Sequence, residues 1–322
     1  MTPTILRMIS PEHPLYSRVF NDESHNRFVT KWLTPLDKTK LSNPSMAITN
    51  GWMSEHHKNQ WYADALSDNV NVFAYDSRGT GDSPKEGELN AFQSGIDANS
   101  VIGRAFDQLD TMAKEQGIEP GNKILQGNCI GTMTLASLFS GKLPLAKRTD
   151  GTILISPVST FSLPILLKMT YFLPVWFVDF AIKYVAPTVA GMVVPGEDSE
   201  SSRQEALGRA RKLIPPVAVK QTRQVFWKEN VTHAWKHINV PSLILVGRHD
   251  PLVKLEHSFD PYNRLPYPIW MELKAPDHLI LEDNIEELKV VLPKFMNDPW
   301  GFYEEFKYLK PDYSSTSNGK PH

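Results

Sequence analysis

The only cysteine among 322 residues, Cys129, stands in the stretch Gly127-Asn128-Cys129-Ile130-Gly131. The apolar run Lys123–Gln126 precedes it, and Ile130–Phe139, helical in composition, follows. A thiol so placed can attack a carbonyl carbon and hold the acyl group as a thioester. Gly127 and Gly131 let a strand and a helix meet on a sharp turn, and the open N–H groups of a helix start favour negative charge there. The attack needs a base, and the base needs a group to orient it. "GRHDPLV" puts Asp250 after the strand-like Ser242–Val246, and "APDHLILED" puts His278 after Ile269–Leu273. An imidazole at His278 takes the proton and a carboxylate at Asp250 holds its tautomer. "TNGWMSEHH", after the apolar Met46–Thr49, can offer the N–H of Trp52 or Met53 to a developing oxyanion, with the N–H of Ile130 as the other donor.

These segments need a scaffold that brings several strand ends together. Tyr16–Phe20 and Arg27–Trp32 read as short strands about the turn "NDESHN", and Val70–Tyr75 as a β-branched and aromatic strand ending at "DSRGTGDSP". Val101, Ile102, Ala105, Phe106, Leu109, Met112 and Ala113 recur at helical spacing. Thr152–Ile155 adds a strand, and Ile285–Phe295 a closing helix. Strands alternating with helices specify an α/β fold, a mostly parallel sheet flanked by helices on both faces. The alternation lapses between Val158 and Trp235, where six prolines punctuate a helical, apolar stretch. The expected organisation is a core of residues 15–158 and 236–298, an inserted helical cap at 159–235, and a C-terminal tail at 299–322.

The Gly-x-Cys-x-Gly turn, Asp250 and His278 follow one another in the order nucleophile, acid, histidine. With "YDSRGTGDS" (Tyr75–Ser83), they make the chain resemble the α/β-hydrolase superfamily over about Tyr16–Val158 and Ala234–Phe295. The elbow is similar to that of dienelactone hydrolases and polyhydroxyalkanoate synthases, which use Cys, His and Asp. The resemblance implies a cysteine-nucleophile member with Cys129, Asp250 and His278 as its triad. The chain departs from the commonest pattern at Asn50, where His often precedes the Gly, and at Cys129 itself.

A net charge of −2 gives no basic field for nucleic acid. One cysteine forms no internal disulfide, and "MTPTILRMISPEHP" lacks a signal-peptide core, so a cytoplasmic location is expected. His56 and His57 have no third ligand at metal spacing and read as a solvated loop. No metal and no cofactor are expected. Phe161–Val194 is apolar, but Lys168, Asp179, Lys183 and three prolines interrupt it as a membrane span. It reads as a cap lining an acyl pocket, with peripheral membrane contact the weaker reading.

A cysteine nucleophile exchanges one thioester for another at nearly no cost but accepts an acyl group from an ordinary ester uphill. The leading expectation is therefore a thioesterase or acyltransferase that works through acyl-Cys129. The expected partner is a small-molecule acyl substrate, a fatty or polyketide-like acyl group presented as a thioester of coenzyme A or of an acyl-carrier protein. An ester or lactone hydrolase is the alternative, and a non-catalytic ligand-binding protein of the same fold a further one.

Overall fold

The computed structural model describes residues 17–21, 27–34, 36, 38–51, 55–160, 172, 174–177, 180, 215–226, 228–248, 250, 253–273, 281 and 284–312. Eight strands form one sheet: β1 (Ser17–Asn21), β2 (Arg27–Trp32), β3 (Ser45–Thr49), β4 (Asn71–Tyr75), β5 (Lys123–Asn128), β6 (Gly151–Ile155), β7 (Ser242–Gly247) and β8 (Pro268–Leu273). Their spatial order is β1-β2-β4-β3-β5-β6-β7-β8. The six strands from β4 to β8 run parallel, and β2 pairs antiparallel with both β1 and β4. The fold is the α/β architecture expected, with the strand bounds shifted by a residue or two.

Alternation along the central strands builds two cores. Leu125, Leu154 and Ile244 point to one face and pack with α2 (Ala91–Glu115) and α3 (Ile130–Ser140). Ile124, Ile153 and Leu243, one residue earlier in each strand, point to the other. There they meet α1 (Gln60–Leu66), α6 (Ile285–Asn297) and α7 (Pro299–Phe306). Both faces are covered, which is why these strands read as unbroken apolar runs. α2 buries Val101, Ile102, Ala105, Phe106 and Leu109, and the Asn90 side chain caps it by accepting from the Gln93 N–H at 2.8 Å.

Between β6 and β8 the described chain includes α4 (Pro215–Gln221), continued by a wider helical turn to Phe226, a single tight helical turn at Trp235–His237, and α5 (Leu255–Arg264). The residues assigned to a tail begin instead with α7. Asp298 caps it through Gly301 N–H at 2.9 Å, Pro299 opens it, and Phe302 is buried against Phe295. Most of the expected cap, including 161–171 and 181–214, lies outside the described residues, as does the charged run at 197–204. No helix among the described residues is long and apolar enough to cross a membrane.

Candidate active site

Cys129 occupies the single residue between β5 and α3. Its φ of 51° and ψ of −112° put it in a backbone region that side chains other than glycine seldom enter. Neighbouring packing enforces this. A Cβ on Gly131 would lie 2.1 Å from the Thr49 carbonyl oxygen, and one on Gly127 would lie 2.8 Å from the Thr132 backbone. Strand β3, strand β5 and helix α3 therefore approach more closely than any side chain permits. Thr49 Oγ1 lies 3.0 Å from both the Gln126 and Gly131 carbonyl oxygens, tying β3 to the turn. Thr132 donates to the Cys129 carbonyl from its N–H at 3.0 Å and its hydroxyl at 2.6 Å.

Below the turn, the Tyr62 hydroxyl donates to Gln126 Oε1 and Gln126 Nε2 donates to Asn128 Oδ1, both at 3.0 Å. Full burial pushes the Tyr62 phenol above its usual range, so it remains a donor. The Cys129 side chain is half-buried and packs against the core on the α2–α3 side.

Asp250 follows β7 and is 4 % exposed. Its Oδ1 accepts from the Val253 N–H and its Oδ2 from the Ser156 hydroxyl, each at 2.9 Å. His257, in the first turn of α5, interacts electrostatically with Asp250. Burial holds its imidazole below the ordinary histidine range, against the raising effect of Glu256. Because β5, β6 and β7 are adjacent and parallel, Cys129, Ser156 and Asp250 all follow strand ends on one edge of the sheet. That edge is where open α/β sheets place ligands. His278, after β8, and Trp52 and Met53, after β3, lie outside the described residues. Ile130 opens α3, so its N–H belongs to a first turn that finds no acceptor within the helix.

The described ends of the Trp52 loop are fixed at both sides. Gly51 approaches Cys129 closely enough that an added Cβ would sit 3.5 Å from the Cys129 Cβ. Asn50 is buried, donating to the Tyr75 carbonyl at 3.1 Å and accepting from Asn59 at 2.8 Å. His56 corrects its reading as a solvated loop residue. Its side chain is only 16 % exposed, its N–H meets Asp76 Oδ1 at 2.6 Å, and its Nδ1 lies 2.9 Å from the same oxygen. The turn that carries Asp76 is locked in its own right by Arg78, which forms a buried two-pronged pair with Asp97 of α2 at 2.8 Å. Among the described residues no cluster of metal-ligating side chains forms.

Beside Ile130 and Gly51 is a cavity of about 40 Å³. Asn50, Ser77, Arg78, Asn90, Ser94 and Gln221 supply polar walls, with Leu89 and Val225 among the apolar ones. It is sized for water rather than an acyl chain. Residues of the same helical segment, Lys220 and Arg223, line a groove of about 400 Å³ with Val175, Pro216, Val219, Gln224 and Lys228.

No curated protein sequence matches the chain significantly. Solved structures do match in fold. An esterase from Exiguobacterium antarcticum superposes with a TM-score of 0.67 at 13% identity, covering 86% of this chain and 98% of its own. The enol-lactonase from Burkholderia xenovorans gives 0.67 at 13% identity, covering 87% and 100%. A hydrolase from Pseudomonas aeruginosa gives 0.68 at 15% identity, covering 87% and 98%. The family model described as "Alpha/beta hydrolase family" matches residues 49–289, a span from the end of β3 into α6 that contains the strained Cys129 turn and buried Asp250. On that match and that architecture, the chain belongs to the alpha/beta hydrolase family and is a hydrolase-fold enzyme.

Proposed function

We propose that the protein hydrolyses carboxylic esters or lactones through a covalent acyl intermediate on Cys129. The observation that carries this reading is the Cys129 backbone, held at positive φ on the β5–α3 turn by glycines that tolerate no side chain. The esterase and enol-lactonase among the structural neighbours support an oxygen ester as the bond cleaved. In this reading His278 takes the thiol proton, oriented by Asp250, and Cys129 Sγ bonds to the carbonyl carbon. The N–H groups of Ile130 and Trp52 receive the oxyanion. The C–O bond then breaks, and the alcohol leaves with the proton from His278. Water, deprotonated by His278, next cleaves the thioester, releasing the carboxylic acid and restoring the thiol.

A second reading, thioester cleavage or acyl transfer from coenzyme A or an acyl-carrier protein, is favoured by the nucleophile itself. Attack by a thiol on a thioester is energetically level, whereas attack on an ester is uphill. The groove supports it too, because Lys220, Arg223 and Lys228 set beside Val175, Pro216 and Val219 suit an acyl compound with an anionic carrier. Turnover of an ester, a lactone and a thioester sharing one acyl group tests both readings. The first predicts ester or lactone hydrolysis that falls by ~10³-fold or more in Cys129→Ala. Preference for the thioester by more than about tenfold in kcat/KM would select the second. Wild-type turnover retained in Cys129→Ala would refute both.

A further inference from the structure

We propose that Ser156 is a positioning residue that aims the Asp250 carboxylate into the site; the proposal rests on the reading of Cys129 and Asp250 given above. Three independent observations carry it. The first is strain. Among the described residues other than glycine, only Cys129, Lys142 and Ser156 have positive φ, at 51°, 52° and 46°. Lys142 is exposed on the turn that ends α3. Cys129 and Ser156 instead terminate neighbouring parallel strands, β5 and β6.

The second observation is the side chain. Ser156 is 2 % exposed, and its hydroxyl donates to Asp250 Oδ2 at 2.9 Å. A glycine would take the same backbone angle without strain, so strain alone gives no reason for a serine here. The hydroxyl supplies one: a buried donor to a carboxylate fixes its direction and stabilises its charge. The third observation is the backbone. The Cys129 N–H donates to the Ile155 carbonyl, and the Ser156 N–H donates to the Leu245 carbonyl of β7, both at 2.9 Å. Ser156 is thus bonded on one side to the strand that precedes the acid, and its immediate neighbour is bonded to the nucleophile. A shift at Ser156 would move both.

The single cysteine makes the test clean, because iodoacetamide then reports on Cys129 alone. Alkylation rates are measured at neutral pH and at about pH 10 for wild type, Asp250→Asn, Ser156→Gly and Ser156→Ala. His257, which interacts electrostatically with Asp250, is left intact throughout. Ser156→Gly keeps the backbone angle and removes the whole hydroxymethyl group, and Ser156→Ala, which removes the hydroxyl alone, reads the same lost donor if the glycine variant folds poorly. The proposal predicts that the neutral-to-alkaline rate ratio falls about fivefold or more in both serine variants, in the direction of Asp250→Asn. In the best ester, lactone or thioester substrate kcat should fall with KM little changed. If Asp250→Asn lowers the ratio while both serine variants match wild type, Ser156 merely fills the turn and the proposal is overturned. If Asp250→Asn itself leaves the ratio unchanged, the triad reading fails and the proposal falls with it.

Discussion

At the ends of β5, β6 and β7, backbones touch through glycine, two side-chain-bearing residues hold positive φ, and the buried Asp250 carboxylate accepts from Ser156 and from the Val253 N–H. Where β8, α6 and α7 meet, the materials are different. Phe295 and Phe302 pack edge-to-face at 5.6 Å, Tyr267 and Trp300 at 4.8 Å, and the Lys294–Glu305 ion pair lies half in water. The corner is held by apolar area, which is additive and forgiving of direction. The strand-end edge is held by close approach and directed polar bonds, which tolerate little displacement. The contrast teaches where stability and geometry part: the corner keeps the sheet folded, and the edge spends part of that stability on holding the strained backbone that carries the thiol.

Mutations can break that contrast in order of size. Gly131→Ala should do most damage, because the new methyl would fall 2.1 Å from the backbone oxygen of Thr49. We expect ester, lactone or thioester turnover to drop ~10²-fold or more in protein that still folds, since a misplacement of about 1 Å has that effect. Undiminished turnover would show that the turn is more pliant than its packing implies. Phe295→Ala, at the corner, should cost about 3–5 kcal/mol in denaturant unfolding. Its kcat/KM per folded molecule should stay at the wild-type level, and a large loss of activity would erase the division between the two regions.

His257→Gln sharpens the edge side. Burial holds the native imidazole below its ordinary range, so the unfolded chain binds the proton first as pH falls. Its contribution to stability is therefore full above about pH 6.5 and is lost as pH falls through the native value. The variant should show a smaller drop in Tm between pH 7 and pH 5 than wild type, and an identical drop would contradict the assignment. The smallest effect belongs to Gly103→Ala in α2, where an added Cβ meets nothing within 4 Å. Here a glycine-to-alanine change should stabilise by about 0.5–1 kcal/mol and leave turnover unaltered.

The sheet was largely legible before the structure. The runs around Leu125, Leu154 and Ile244 are apolar on both faces, and that pattern survives any detail of packing. The elbow was legible because close approach leaves glycines as its trace. Ser156 was not: in "SPVST" it reads as an ordinary turn serine, and its meaning lies in a bond to a residue far along the chain. Arg78 and Asp97 were silent for the same reason, since a turn arginine and a helical aspartate each read as surface until paired. α7 was missed although Asp298-Pro299 carries its cap in plain view, because the polar residues beyond it coloured the whole segment as tail. His278 and Trp52, both outside the described residues, rest on the motif alone.

The central claim is that Cys129 carries the acyl group. Wild-type protein and Cys129→Ala are mixed with an activated ester and with the matching thioester, quenched in acid within the first turnover, and weighed intact. The account predicts one added acyl mass on wild type, mapped to the peptide containing Cys129, and none on the alanine variant. An unmodified wild type that still turns the substrate over, or the same adduct on both proteins, would contradict it.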